Sequence, residues 1–241
     1  LNIFFCSNNY YFNKGISLVS DELYDVLTEY SKNKYPKKKK QTSVGAKVPG
    51  KNKVKLPFMM ASMNKIKPEK NALIKWKETY HGPYVITCKL DGVSALYDGR
   101  HHKLYTRGDG IEGQDISHLL PHLGMENLDT ECVFRGELII KKKIFQEKYS
   151  DVYANPRNMV AGLVNKKVNA SDNVLKEMLG DINFVVYELV EPSFAPCVQF
   201  EIISKFPEIK QVYNMELEII TNEILTTILL EIRELYDYET D

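Results

Sequence analysis

Cysteine, arginine, tryptophan and net charge are all scarce in this chain, and each scarcity narrows what it can be. Four cysteines occur in 241 residues, Cys6, Cys88, Cys132 and Cys197, with no C-x-x-C pair among them. They fit neither a zinc site nor a secreted disulfide framework, so buried thiols in an intracellular, reducing compartment are expected. No apolar run approaches the roughly 18 residues of a membrane helix, and no membrane partner is expected. The opening "LNIFFCSNNYYFNKG" has neither a basic leader nor a small-residue cleavage site, which argues against a signal peptide. It also lacks an initiator Met, as a trimmed fragment would. A formal net charge of zero gives no global sign of nucleic-acid binding. The lysine-rich stretches at 32–40, 51–55 and 140–148 read as solvated surface.

What is present is more telling. Hydrophobic residues make up 44% and aromatics 11%, enough for a globular core. Of the 32 basic residues only Arg100, Arg107, Arg135, Arg157 and Arg233 are arginines. Three of these lie in "TRGDG", "FRGEL" and "NPRN". A chain that uses lysine elsewhere keeps arginine where a planar fork suits phosphate or carboxylate.

Ser20 reads as an N-cap, followed by acids in the first turn and by Leu23, Val26, Leu27 and Tyr30 at helical spacing. The run "KKKKQTSVGAKVPGKNK" breaks the composition, so a small helical unit over 1–42 and a main domain over 43–241 are expected. A helix around "PEKNALIKWKETY" has Trp76 as a core anchor. From Tyr84 the pattern turns to short β-rich runs, with helices predicted near 141–149, 156–164, 171–179, 199–205 and 219–236. Mixed strands and helices, partly joined by hairpins, indicate an α+β fold.

In "TCKLDG", strand alternation puts Lys89 and Asp91 on one face, and Gly92 permits a turn or a close ligand. Lysine is a nucleophile only when neutral, and a neighbouring carboxylate opposes this, so a catalytic Lys89 needs further cationic help. The alternative is a salt bridge at a strand end. "TRGDGIEGQD" can form an anion-binding turn with Arg107 as the fork, or a plain turn. His101 and His102 read as the solvated tip of a hairpin. Glu137 in "FRGELII" belongs to a site or pairs with Arg135. Asn155 and Pro156 read as the cap and first residue of a helix, placing Arg157 and Asn158 where anions bind. Tyr187 in "FVVYEL" is a stacking platform or a core tyrosine.

Taken in order, "KLDG", "TRGDGxxGxD", "RGE" and "ANPRN…AG" resemble the adenylation domain of NAD⁺-dependent DNA ligases. The N-terminal "YY…SDELYD" resembles the module that distinguishes these ligases from ATP-using ones, and "PFMMASMNKIK" the adenosine-side segment in large DNA viruses. The resemblance implies a nucleotidyltransferase, ATP-grasp-like domain of antiparallel sheets and helices behind a small module that binds nicotinamide mononucleotide (NMN). It implies that Lys89 takes AMP from NAD⁺, releasing NMN, for sealing nicked duplex DNA with Mg²⁺. Asp91 would orient the nucleophile or the metal. Glu137 would hold the ribose and Tyr187 would stack on adenine. Ser62 and Met63 would line the adenosine pocket, and Arg107 and Arg157 would serve phosphates or DNA. Tyr11, Asp21, Tyr24 and Asp25 would grip NMN.

Thr87 stands where the family usually has Glu, Phe12 where it has His or Tyr, and Asn165 where many members have Arg. The end, "LYDYETD", falls about where a further motif would start, so an incomplete, monomeric ligase fragment is expected. An ATP- or GTP-using transferase of the RNA-ligase or capping type shares the Lys-x-Asp-Gly core, and an inactive nucleic-acid-binding fragment is the third reading.

Overall fold

A computed structural model describes residues 53–66, 71–169 and 171–240, with isolated positions at Val19, Leu23, Val26, Leu27, Glu29, Tyr30 and Lys34. Tyr11, Asp21, Tyr24, Asp25 and the 42/43 boundary lie outside the described residues.

The centre is a five-stranded sheet in the order β4-β3-β6-β7-β8. Its strands are β3 (Val93–Asp98), β4 (Lys103–Thr106), β6 (Val133–Ile140), β7 (Ile182–Glu191) and β8 (Lys210–Gln211). All neighbours are antiparallel except β7 and β8. Two short ribbons flank the sheet. β1 (Lys53–Lys55) pairs with β5 (Glu112–Gln114), and β2 (Tyr84–Thr87) with β9 (Asn214–Leu217). The described helices are α1 (Ala72–Thr79), α2 (Lys142–Lys148), α3 (Pro156–Leu163), α4 (Asn173–Gly180), α5 (Pro196–Ile203) and α6 (Asn222–Leu235). This is the α+β mixture the sequence indicates.

The alternation of β3 and β6 divides the interior. Ala95, Tyr97, Phe134 and Leu138 join Met159, Val160 and Leu163 of α3 in the main core. Leu96 and Val133 face the other way and pack with Leu56 and Met60. That second face carries the polar residues of interest, because Ser94 pairs with Glu137 and Leu96 with Arg135 across β3 and β6.

Between β6 and β7 the register slips. Arg135 faces Glu188, whereas Gly136 faces Val186, so Tyr187 is the extra residue of a β-bulge. A bulge turns two consecutive residues toward one face, here Tyr187 and Glu188. Arg135 therefore pairs across the sheet with Glu188, at 2.9 and 2.7 Å, and not with Glu137.

Three further expectations change in detail. β2 ends at Thr87, so Lys89 and Asp91 belong to the link beyond it. Trp76 is partly exposed against Tyr80 and Tyr84, and Leu73 is the buried residue of α1. His101 and His102 occupy a 3-10 turn and are tied down: His101 Nδ1 meets Asp98 at 2.9 Å and His102 Nδ1 meets the Tyr97 hydroxyl at 3.0 Å.

Candidate active site

Lys89 is exposed in the link between β2 and β3, and its neighbours hold the chain on both sides. The Cys88 amide donates to the Tyr213 carbonyl at 3.4 Å and the Asp91 amide to the Glu239 carbonyl at 3.0 Å. Leu90 forms an isolated antiparallel bridge with Thr240. The Cys88 thiol, pushed up to about 11 by burial, stays protonated at neutral pH beside Lys89.

Asp91 is joined to α3. The Asn155 side chain accepts the Asn158 amide at 2.8 Å, and Pro156 opens the helix, as its sequence predicts. That start carries Arg157, whose Nη1 donates to Asp91 Oδ1 at 2.7 Å. The guanidinium thus offsets the carboxylate charge two residues from Lys89.

Glu137 lies within electrostatic reach of Arg157 and is only 6% exposed. Its Oε2 accepts the Ser94 hydroxyl at 2.9 Å, and the Gly92 amide also donates to the carboxylate. Burial pushes its pKa up to about 7, against the pull of Arg157, the Ser94 and Gly92 hydrogen bonds and Arg107. Gly92 is required by space: a Cβ there would sit 2.3 Å from the Leu138 carbonyl and 2.8 Å from Glu137 Cγ.

Arg107 follows β4 and is held by its amide, which donates to the Ser94 carbonyl at 3.0 Å. Burial lowers its pKa, opposed by Glu137 and Tyr187 and assisted by Arg157. The Tyr187 phenol is pushed up, first by burial and then by Glu137 and Glu188. Arg107 and Glu137 therefore lie within electrostatic reach of each other and of both Arg157 and Tyr187. Residues from β3, the turn after β4, β6, β7 and the start of α3 make one cluster.

The glycine turn serves a different purpose from its acids. Asp109 Oδ1 accepts the amides of Ile111 and Glu112, and Asp115 holds Ser117 and Lys103, so both carboxylates brace the loop. Gly108 and Gly110 have positive φ of 55° and 93°, which glycine alone adopts cheaply. The Gly110 carbonyl accepts the Met60 amide at 2.8 Å, which anchors the segment bearing Ser62 and Met63. Both are exposed beyond that anchor.

Ser94 and Glu188 are the site residues that sequence reasoning missed. Ser94 would have needed the β3–β6 register, and Glu188 the bulge. Among the described residues no group of three or more His, Cys, Asp or Glu is placed to hold a metal ion. No described helix is long and apolar enough to cross a membrane.

A DNA ligase of Acanthamoeba polyphaga mimivirus is 43% identical over 242 residues, covering 98% of this chain and 37% of its own length. A putative DNA ligase of Invertebrate iridescent virus 6 is 35% identical over 91% of this chain and 35% of its own. The DNA ligase of Shewanella baltica is 32% identical over 70% of this chain. The chain thus spans little more than a third of the viral relatives it matches. A solved Lig E DNA ligase overlays with a TM-score of 0.42 at 18% identity, covering 66% of this chain and 53% of that one. The family model for the NAD-dependent DNA ligase adenylation domain matches residues 58–239, and the chain belongs to that family.

Proposed function

We propose that this chain accepts AMP from NAD⁺ on Lys89, as the adenylation part of a DNA ligase that seals nicks in duplex DNA. Lys89 Nζ attacks the α-phosphorus of NAD⁺, and a phosphoramidate N–P bond forms. The bond to the bridging oxygen breaks, NMN leaves with its electron pair, and the attacking nitrogen gives up one proton to water. In the complete enzyme AMP passes to a nick 5′-phosphate, and the 3′-hydroxyl displaces it.

The observation that carries this reading is the Arg157–Asp91 contact at 2.7 Å. An amine attacks only when unprotonated, and a bare carboxylate nearby would favour the ammonium form. Arg157 supplies from within the chain the cationic offset that the Lys-x-Asp spacing demands. Phosphoryl transfer is otherwise mostly positioning and charge neutralisation, which suits Arg107 and Arg157 as phosphate partners. Glu137 would take the ribose hydroxyls. Tyr187 would stack on adenine, and Ser62 and Met63 would close the pocket. Tyr11, Asp21, Tyr24 and Asp25 would receive NMN.

The described residues do not form a cage for Mg²⁺, since Asp91 is the acid beside Lys89 and gives an oxygen to Arg157. Mg²⁺ binds readily through substrate phosphates with few protein ligands. Mg²⁺ would then be held through the phosphates of NAD⁺, where it would offset their charge.

The test is intact-mass analysis after incubation with NAD⁺ or with ATP. An AMP adduct from NAD⁺, lost in Lys89→Ala, is expected. An adduct formed from ATP alone, or one that survives in Lys89→Ala, would overturn the assignment.

A further inference from the structure

We infer that Arg135 is a positioning residue that fixes the width of the adenosine pocket by tying its two walls together. The inference rests on the adenylate-transfer reading above.

One wall is the bulge of β7. Its first residue is Tyr187 and its second is Glu188, so whatever holds Glu188 also fixes the backbone that aims Tyr187. The other wall begins at Met59 and continues through Ser62 and Met63. Arg135 reaches both. Nη1 donates to the two oxygens of Glu188 at 2.9 and 2.7 Å, and Nη2 donates to the Met59 carbonyl at 2.6 Å. The adjoining residue, Met60, is buried and bonded to the Gly110 carbonyl. The outer wall therefore departs from a point pinned on one side by Arg135 and on the other by the glycine turn. Beyond that point the wall has little packing of its own, with Met63 68% exposed.

Two observations separate positioning from plain stabilisation. Arg135 Nε is buried and meets no hydrogen-bond acceptor among the described residues. The Arg135 and Glu188 side chains are 21% and 38% exposed, where an ion pair adds little to stability, and a pair that also leaves a buried donor unmet is a poor choice for stability alone. The second observation is the shape of the contact. A planar fork serves acceptors on two separate chain segments at once, whereas an ammonium is a single point that cannot reproduce that geometry.

The experiment measures AMP and NMN affinity by calorimetry on the whole chain and on its Arg135→Gln, Arg135→Lys, Glu188→Gln and Arg135→Gln/Glu188→Gln variants. Removal of a charge-assisted clamp is expected to weaken AMP binding about tenfold in Arg135→Gln, and less in Arg135→Lys, which keeps one contact. The double variant should bind AMP no worse than Arg135→Gln alone, because both changes break one device. NMN affinity should not move. In lysyl-AMP formation the KM for NAD⁺ should rise while kcat at saturation stays within about twofold. AMP affinity unchanged in Arg135→Gln, or AMP and NMN weakened in parallel with a lowered melting temperature, overturns the clamp. If Arg135→Gln does not fold, Arg135→Lys and Glu188→Gln carry the same comparison. Failure of the unaltered chain to bind AMP overturns the adenosine site itself, and the clamp with it.

Discussion

Glu137→Gln should change how stability depends on pH, and the size of the change follows from its burial. The carboxyl has a pKa near 7 in the folded chain against the ordinary 4.5. Between those values the folded state keeps a proton that the unfolded state has released, so stability falls as pH rises and then levels off above 7. At about 1.4 kcal/mol per pH unit, the loss across the window is about 3 kcal/mol. The amide introduced by the substitution would keep a neutral acceptor for the Ser94 hydroxyl and the Gly92 amide, with no charge to bury. Other groups titrate nearby. Asp98, whose burial is outweighed by hydrogen bonds from Arg100 and His101, and Asp115, whose burial is outweighed by bonds from Ser117 and Lys103, have lowered pKa values. Their contributions are lost only as pH falls below the ordinary carboxylate range. His118, whose pKa is lowered by burial, gives the opposite slope just below its ordinary 6.5, present in both proteins. The decisive quantity is therefore the difference between the two proteins in urea unfolding from pH 4.5 to 8. The variant should gain on the parent as pH rises and exceed it at pH 8, with a melting temperature several degrees higher at 2–4 °C per kcal/mol, as roughly expected for this size. Parallel curves would refute the buried, proton-holding carboxyl. On the proposed function the same variant should lose lysyl-AMP formation, because the ribose contact proposed for Glu137 would go as stability rises.

Two further outcomes are expected. Gly92→Ala should cost about 3 kcal/mol, because the new Cβ would meet a β6 carbonyl at 2.3 Å, and an unchanged urea midpoint would contradict that contact. Arg157→Ala should cost less than about 1 kcal/mol, since its side chain and that of Asp91 are 29% and 44% exposed. The same change should slow lysyl-AMP formation about a hundredfold in single-turnover measurement.

The sequence made the components of this site readable but not their pairing. Asn155 and Pro156 announce their helix locally, since a cap and a first-turn proline are set by residues a few positions apart. Glu137 announces itself by its cost in an apolar strand. Its partner does not: Arg135, two residues away, was one candidate, and the bulge sent that arginine to Glu188 while cross-strand register supplied Ser94. A one-residue slip of register has no local signature. A cation near Asp91 was likewise foreseeable as a need, while the contact from Arg157 depends on α3 docking beside the link after β2. Asp109 and Asp115 belong to a turn that the sequence left open between anion binding and a plain turn, and their carboxylates are occupied by the loop itself.

The bridge between Leu90 and Thr240 gives part of the setting of Lys89 a place late in folding. Contacts between distant parts of a chain carry a loop-closure cost that local turns do not, and they form slowly. The hairpin of β3 and β4 can close as soon as its own residues exist. Tyr213 and Arg157 can hold the link bearing Lys89 earlier, but its contacts at Leu90 and at the Asp91 amide wait until α6 has been made and 236–240 has returned to it. A nascent chain would thus carry a formed sheet with this link only partly held, and the last of the link's contacts would form only after Thr240 had been synthesised.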